Sequence, residues 1–186
     1  MSSLETGTPV AAEVTIQPRY GEPFGALAFA IQRASPGDRA ALARLQPTAL
    51  QPHQLASLSR ALIAAGISPS DWNTRVWPRW ALIAQGMALA GHDGKRQLGA
   101  QLAQAGVSES RVTKLLTSRG EAFTQLLPRV LRLLASKGVA PNWRELGELT
   151  LKENSDNRHA LEDAEAIRLR IAGPYFSALA RATAAK

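Results

Sequence analysis

Three histidines, fifteen acids and no cysteine bound what this 186-residue chain could catalyse. Without cysteine there is no disulfide, no thiolate zinc site and no thiol nucleophile. His53, His92 and His159 are too far apart for a paired-histidine metal motif such as H-E-x-x-H. His159 with Glu162 and Asp163 can be drawn as a ligand cluster. Their spacing reads instead as the solvated first turn of a helix, where acids are favoured by the macrodipole. No G-x-x-x-x-G-K-[ST] and no G-x-S-x-G occurs, and the Gly-rich "GHDGKRQLG" follows no strand, which a phosphate loop requires. These residues point away from an enzyme and imply neither cofactor nor metal.

The chemistry on offer is charge. The formal net charge is +7 and the sequence pI about 10.5, which implies a polyanionic partner, nucleic acid more often than a lipid surface. From Arg75 to Arg144 eleven Lys/Arg face only Asp93, Glu109 and Glu121, so the middle of the chain carries +8 and the rest −1. The segment "SESRVTKLLTSRG", Ser108 to Gly120, holds three cations and one acid. On a helix capped by Ser108, Val112, Leu115 and Leu116 form the buried stripe, and Arg111 and Lys114 stand together at i,i+3. Arg119 would fall on the apolar side, so this helix must end near Thr117 or Ser118 and leave Arg119 on a turn. The next helix repeats the device, with Arg129 and Arg132 opposite a stripe of Phe123, Leu126, Leu127, Val130, Leu131 and Leu134. Trp72, Trp77 and Trp80 lie beside Arg75 and Arg79. Base stacking is one use of such a set; Trp77 and Trp80 at i,i+3 read rather as core anchors, with Trp72 open to either role.

Ala and Leu dominate and strand formers do not cluster, so the elements that position these side chains are helices. The punctuation predicts an all-α bundle of about eight or nine helices. Residues 1–22 are polar and aperiodic and read as disordered; 23–186 form the helical domain, divisible into lobes 23–106 and 107–186. "EPFGALAFAIQRA" opens with Pro23 in its first turn. "SPGDRAALARLQP" is capped by Ser35, and a third helix runs from about Pro52 to a stop at Gly66. "SPSDWNTRVWPRWALIAQGMALAG" begins at a Ser/Asp cap and is kinked or restarted at Pro78. Its second half is apolar all round, as in a buried central helix. Gly106 separates "KRQLGAQLAQAG" from the Ser108 helix. The last helical region, from about Arg158, is expected to break near Gly173-Pro174. The N-terminus does not read as a signal peptide, and no run of apolar residues approaches a membrane span. A soluble cytoplasmic protein is the expectation.

Two functional classes fit. "LAQAGVSESRVTKLL" looks like a helix-turn-helix, so residues 95–117 could serve a sequence-specific transcription regulator. Its register is imperfect, because Leu102 stands where a small residue is usual. The wider pattern resembles a family. "FGALAFAIQRASPGDRAALARLQP" is similar to an opening helix followed by G-x-R-A-x-L-R-R, matched by Gly37, Arg39, Ala40, Leu42 and Arg44, with Ala43 replacing an arginine. "SESRVTKLL" is similar to S-E-x-R-x-x-x-L-L. "LPRVLRLLASKGVAPNWRELGELTL" resembles a basic helix followed by D-W-x-x-L, with Asn142 for the aspartate. "RIAGPYF" resembles R-W-A-x-x-Y-[YF], with Ile171 for the tryptophan. In order and spacing, from about Phe24 to Phe176, these resemble the CasB family, the small subunit of the type I-E CRISPR Cascade complex. The resemblance implies a non-enzymatic, all-helical protein, dimeric within a crRNA-guided complex alongside its backbone and large subunits. It implies a basic surface toward the target DNA and the displaced non-target strand. Arg39, Arg44, Arg111, Lys114, Arg119, Arg129 and Arg132 are the candidate nucleic-acid contacts.

Overall fold

A computed structural model describes residues 22–153, 155 and 157–184. The expectation of disorder at the N-terminus lies outside these residues, apart from Glu22. Among the described residues there are nine α-helices and no strand: α1 Glu22–Arg33, α2 Pro36–Ala43, α3 Pro52–Ala64, α4 Val76–Ala90, α5 Leu98–Gln104, α6 Glu109–Thr117, α7 Gly120–Ser136, α8 Trp143–Lys152 and α9 Arg158–Ala184.

Local chemistry accounts for most boundaries. Ser35 Oγ accepts from Asp38 N at 3.1 Å and caps α2. Pro52 opens α3, where Gln51 and Gln54 form a capping box. Gly66 and Gly106 adopt φ of +74° and +68°, the left-handed conformation that ends α3 and α5 without a Cβ penalty. Asn142, in the position where the resembling motif has aspartate, still caps α8, its Oδ1 accepting from Arg144 N at 3.0 Å. Ser108 occupies the N-cap position of α6, but its hydroxyl pairs with that of Ser110 instead of capping the helix.

The apolar half of α4 is the centre of the fold. Every residue from Trp80 to Met87 is buried, and α1, α2, α7 and α8 pack around it. This helix starts at Val76, not at the Ser/Asp signal upstream: residues 70–75 form turns, and Pro78 sits in the first turn, where its missing N–H costs nothing. Trp72 stacks on Trp80 at 5.6 Å between centroids, Trp80 on Phe24 at 5.9 Å, and Trp77 meets Trp72 edge-on. The tryptophans therefore pin α1 and the preceding turn to α4, and Trp80 is a core residue. One apolar cluster runs from Phe24 to Tyr175.

The expected break at Gly173-Pro174 does not occur; α9 runs through it. Packing supplies the reason. Gly99 of α5 lies against the backbone of α9 so closely that a Cβ there would land on the Ile171 carbonyl oxygen and 2.7 Å from Tyr175 N. Ile171 and Tyr175 are buried, and the Tyr175 hydroxyl donates to the Val107 carbonyl at 2.7 Å. Contacts on both sides of Pro174 hold the helix together despite one lost hydrogen bond.

Candidate nucleic-acid interface

The core face of α6 is Val112 and Leu115, both buried, with Leu116 only half-buried at its edge. That fixes the opposite orientation for Arg111 and Lys114. Both are exposed, and neither side chain has a hydrogen-bond or ion-pair partner among the described residues. On α7, Phe123, Leu127, Val130, Leu131 and Leu134 are buried, Leu126 is half-buried, and Arg129 and Arg132 project to solvent, again without a partner among the described residues. Acids nearby are few. Glu109 is exposed in the first turn of α6; burial, with the Glu109 charge added, pushes the Tyr175 phenol pKa up. Glu121 accepts from Gln125 Nε2 at 2.8 Å.

Arg119 differs. It lies on the turn between α6 and α7, as its spacing requires. Its guanidinium donates to the Leu116 and Ser118 carbonyls at 2.9 and 3.0 Å and pairs with Glu165 of α9 at 2.7 Å. It closes the C-terminal end of α6 and offers solvent a partly compensated charge. Arg39 and Arg44 are exposed on and just after α2, which packs on α3 and α4. The structure thus brings Arg111 with Lys114, and Arg129 with Arg132, as adjacent pairs, and seats Arg39 and Arg44 on a separate helix.

An arginine that the sequence did not single out is the most buried cation among the described residues. Arg168 of α9 is 4% exposed. It pairs with Glu153, also buried, and with Glu165 at 3.0 Å, and reaches the Ser118 carbonyl at 3.3 Å. Glu153 in turn accepts from Gly120 N at 2.9 Å. One ion pair therefore ties α9 to the end of α8 and to the start of α7. Nothing in the i,i+3 pattern of α9 marks Arg168 as special, because its partner lies fifteen residues upstream across a loop. The Arg79 side chain, donating to the Leu151 carbonyl at 2.9 Å, similarly closes the C-terminal end of α8.

For the rival motif, α5 rests chiefly on α9, whereas α6 rests on α7 and α9. A helix-turn-helix relies on its first helix to brace the second, and here α7 and α9 together supply the brace. Among the described residues no group of three or more His, Asp or Glu could hold a metal ion, and no helix is long and apolar enough to cross a membrane.

Comparison with known proteins agrees with the motif order. The sequence pattern of the family CRISPR-associated protein Cse2 matches residues 38–176. No curated protein matches the chain, and no solved structure does. The matched span contains α3 to α8 whole, with most of α2 and the buried part of α9. The chain belongs to the Cse2 (CasB) family, the small subunit of the type I-E CRISPR Cascade complex.

Proposed function

We propose that this small subunit is a non-enzymatic clamp that holds nucleic-acid backbone within the cytoplasmic, crRNA-guided complex. It works beside the backbone and large subunits and a second copy of itself. Its ligands are the target DNA and, above all, the displaced non-target strand. Forming an R-loop exchanges one duplex for another of nearly equal stability. A subunit that grips the freed strand tips that exchange without reading a base. Such a grip needs cations whose counter-charge is the ligand's phosphates, because affinity then comes from released counterions.

The observation that carries this reading is the pair of partnerless cation pairs, Arg111/Lys114 and Arg129/Arg132, each opposite a buried stripe. Arg39 and Arg44 extend the set. Arg119 contributes less, since Glu165 shares its charge. The test is a salt titration of single-strand binding by the R111A/K114A/R129A/R132A variant, with circular dichroism to verify the fold. The slope of log K against log salt should shrink by about 0.7 per lost contact, roughly 3 in total. The assembled complex should still take up the variant but form R-loops poorly. A folded variant with an unchanged slope would show these residues to be merely solvated. A sharp palindromic consensus from random duplexes would establish the regulator instead.

A further inference from the structure

Two connections of the chain meet at the start of α8: the turn 92–97 between α4 and α5, and the segment 137–142 that leaves α7. They are laced together. Asp93 N donates to the Pro141 carbonyl at 3.1 Å, Asn142 Nδ2 to the Arg96 carbonyl at 2.9 Å, and Trp143 N to His92 Nδ1 at 3.2 Å. Gln101 bridges both segments, accepting from Asn142 N at 2.6 Å and donating to the Asp93 carbonyl at 3.1 Å. Hydrogen bonds thus tie this basic turn to the start of α8.

Both acids of this corner are occupied by the backbone. Glu145 accepts from Leu98 N at 2.6 Å. Asp93 accepts from Lys95 N at 3.0 Å and pairs with Arg96 at 2.9 Å. Lys95 and Arg144 are exposed, and neither side chain has a hydrogen-bond or ion-pair partner among the described residues. Gly94 sits between them. A Cβ on Gly94 would stand 3.2 Å from His92 Nε2 and 3.4 Å from Arg144 Nε, so both nitrogens converge on the space that the missing side chain leaves. His92 Nδ1 accepts a hydrogen bond, so the neutral ring carries its proton on Nε2, beside Gly94. Burial pushes the His92 pKa down; the Arg144 charge also lowers it, while the Pro141 carbonyl and Asp93 oppose. The ring is thus neutral near pH 7 and can still donate from Nε2.

We propose that this corner is a seat for one phosphodiester of a nucleic-acid strand, with the Arg144 guanidinium and His92 Nε2–H donating to its oxygens over Gly94 and Lys95 adding charge. A guanidinium matches phosphate geometry, and a residue without Cβ lets the two donor nitrogens come together beside it. Its two charged side chains are exposed, so a lone phosphate ion would be held weakly. A strand already docked on α7 would meet it at high effective concentration. Arg132 is about one turn from the end of α7, and the exposed Lys137 follows before the seat. The inference rests on the strand-binding reading above.

The test uses the full chain and a fluorescent oligothymidylate. K95A/R144A should stay folded, since neither side chain has a partner among the described residues, and its salt slope should shrink by about 1.4 at 0.7 per contact. G94A keeps every charge but sets a methyl against the His92 ring and Arg144 Nε, which displaces both nitrogens, and should weaken binding several-fold with an unchanged circular dichroism spectrum. In wild-type protein the histidine ring nitrogen signals of His92 should move on adding the strand and stay put on adding inorganic phosphate at equal concentration. A folded K95A/R144A with wild-type affinity and slope overturns the seat; if the α6–α7 quadruple variant still loses binding, the strand-binding reading survives that result. Wild-type protein that binds no single strand overturns both. A His92 response to inorganic phosphate but not to the strand reduces the corner to a free-anion site and overturns the proposal as well.

Discussion

The α6–α7 surface and the α8–α9 corner contain the same residue types and use them in opposite ways. On α6 and α7 four cations face solvent with no partner among the described residues. Around α8 and α9, Arg168 pairs with Glu153 and Glu165, Arg119 with Glu165, Lys152 with Asp163, Arg158 with Glu162 and Arg170 with Glu148. The difference follows where the acids are. The segment Glu145–Glu165 contains seven of them, whereas only Glu109 and Glu121 lie between Ser108 and Ser136. Charge consumed by an ion pair holds the fold together; charge left over is available to a ligand. A count of arginines cannot separate the two roles, but the presence of an acid across the packing interface does.

Substitutions should separate the regions, and the largest effect is expected at the paired corner. R168M leaves Glu153 buried and uncompensated, which should cost about 3–5 kcal/mol. The double variant R168M/E153Q should lose less than R168M alone, because no orphan carboxylate remains. Chemical denaturation reads both, and a loss below about 1 kcal/mol for R168M would erase the distinction between the regions. On the apolar side of the open surface, L115A should cost about 2–5 kcal/mol by the same measurement, since Leu115 is buried while Lys114 beside it is not. G99A forces α5 away from α9 and should cost about 1–3 kcal/mol; wild-type stability would mean that this contact does not hold α9 continuous.

A smaller effect is expected at Asp38, where a third arrangement occurs. Its carboxylate, half-buried on α2, accepts from Arg60 and from Ser57 and Ser35, and these bonds hold its pKa at about 2. Because the folded value lies below the unfolded one, the contribution is present above the ordinary value near 3.8 and is lost as pH falls through the folded value. Wild type should therefore lose stability between those limits in an acid titration, and D38N should flatten that part of the curve. The smallest effect on stability belongs to R111A/K114A, within about 0.5 kcal/mol of wild type, although its salt slope for single-strand binding should drop by about 1.4. A substantial loss of stability there would place α6 with the paired corner.

The all-α class, most helix ends and the family were legible in the residues, because caps, prolines, glycines and i,i+3 spacing act within a few residues of one another. Ser35, Pro52, Gly66 and Gly106 do in the structure what their types predict, and the orientation of the α6 and α7 cations follows from where the leucines are. The interruptions were less legible. The upstream cap signal near Ser70 yields to turns, and Gly173-Pro174 does not end α9, since Gly99 packs against that stretch from the other side. Which cations are free was decided by packing as well. Arg168 and Glu153 meet across a loop, Arg119 reaches Glu165 forty-six residues away, and Asp93 and Glu145 turn inward to backbone amides. The positions of charge and the local helix signals lie in the sequence by itself. The partner of each charge was settled only in the tertiary structure, because an ion pair between distant residues exists only once burial of the apolar faces has brought their helices together.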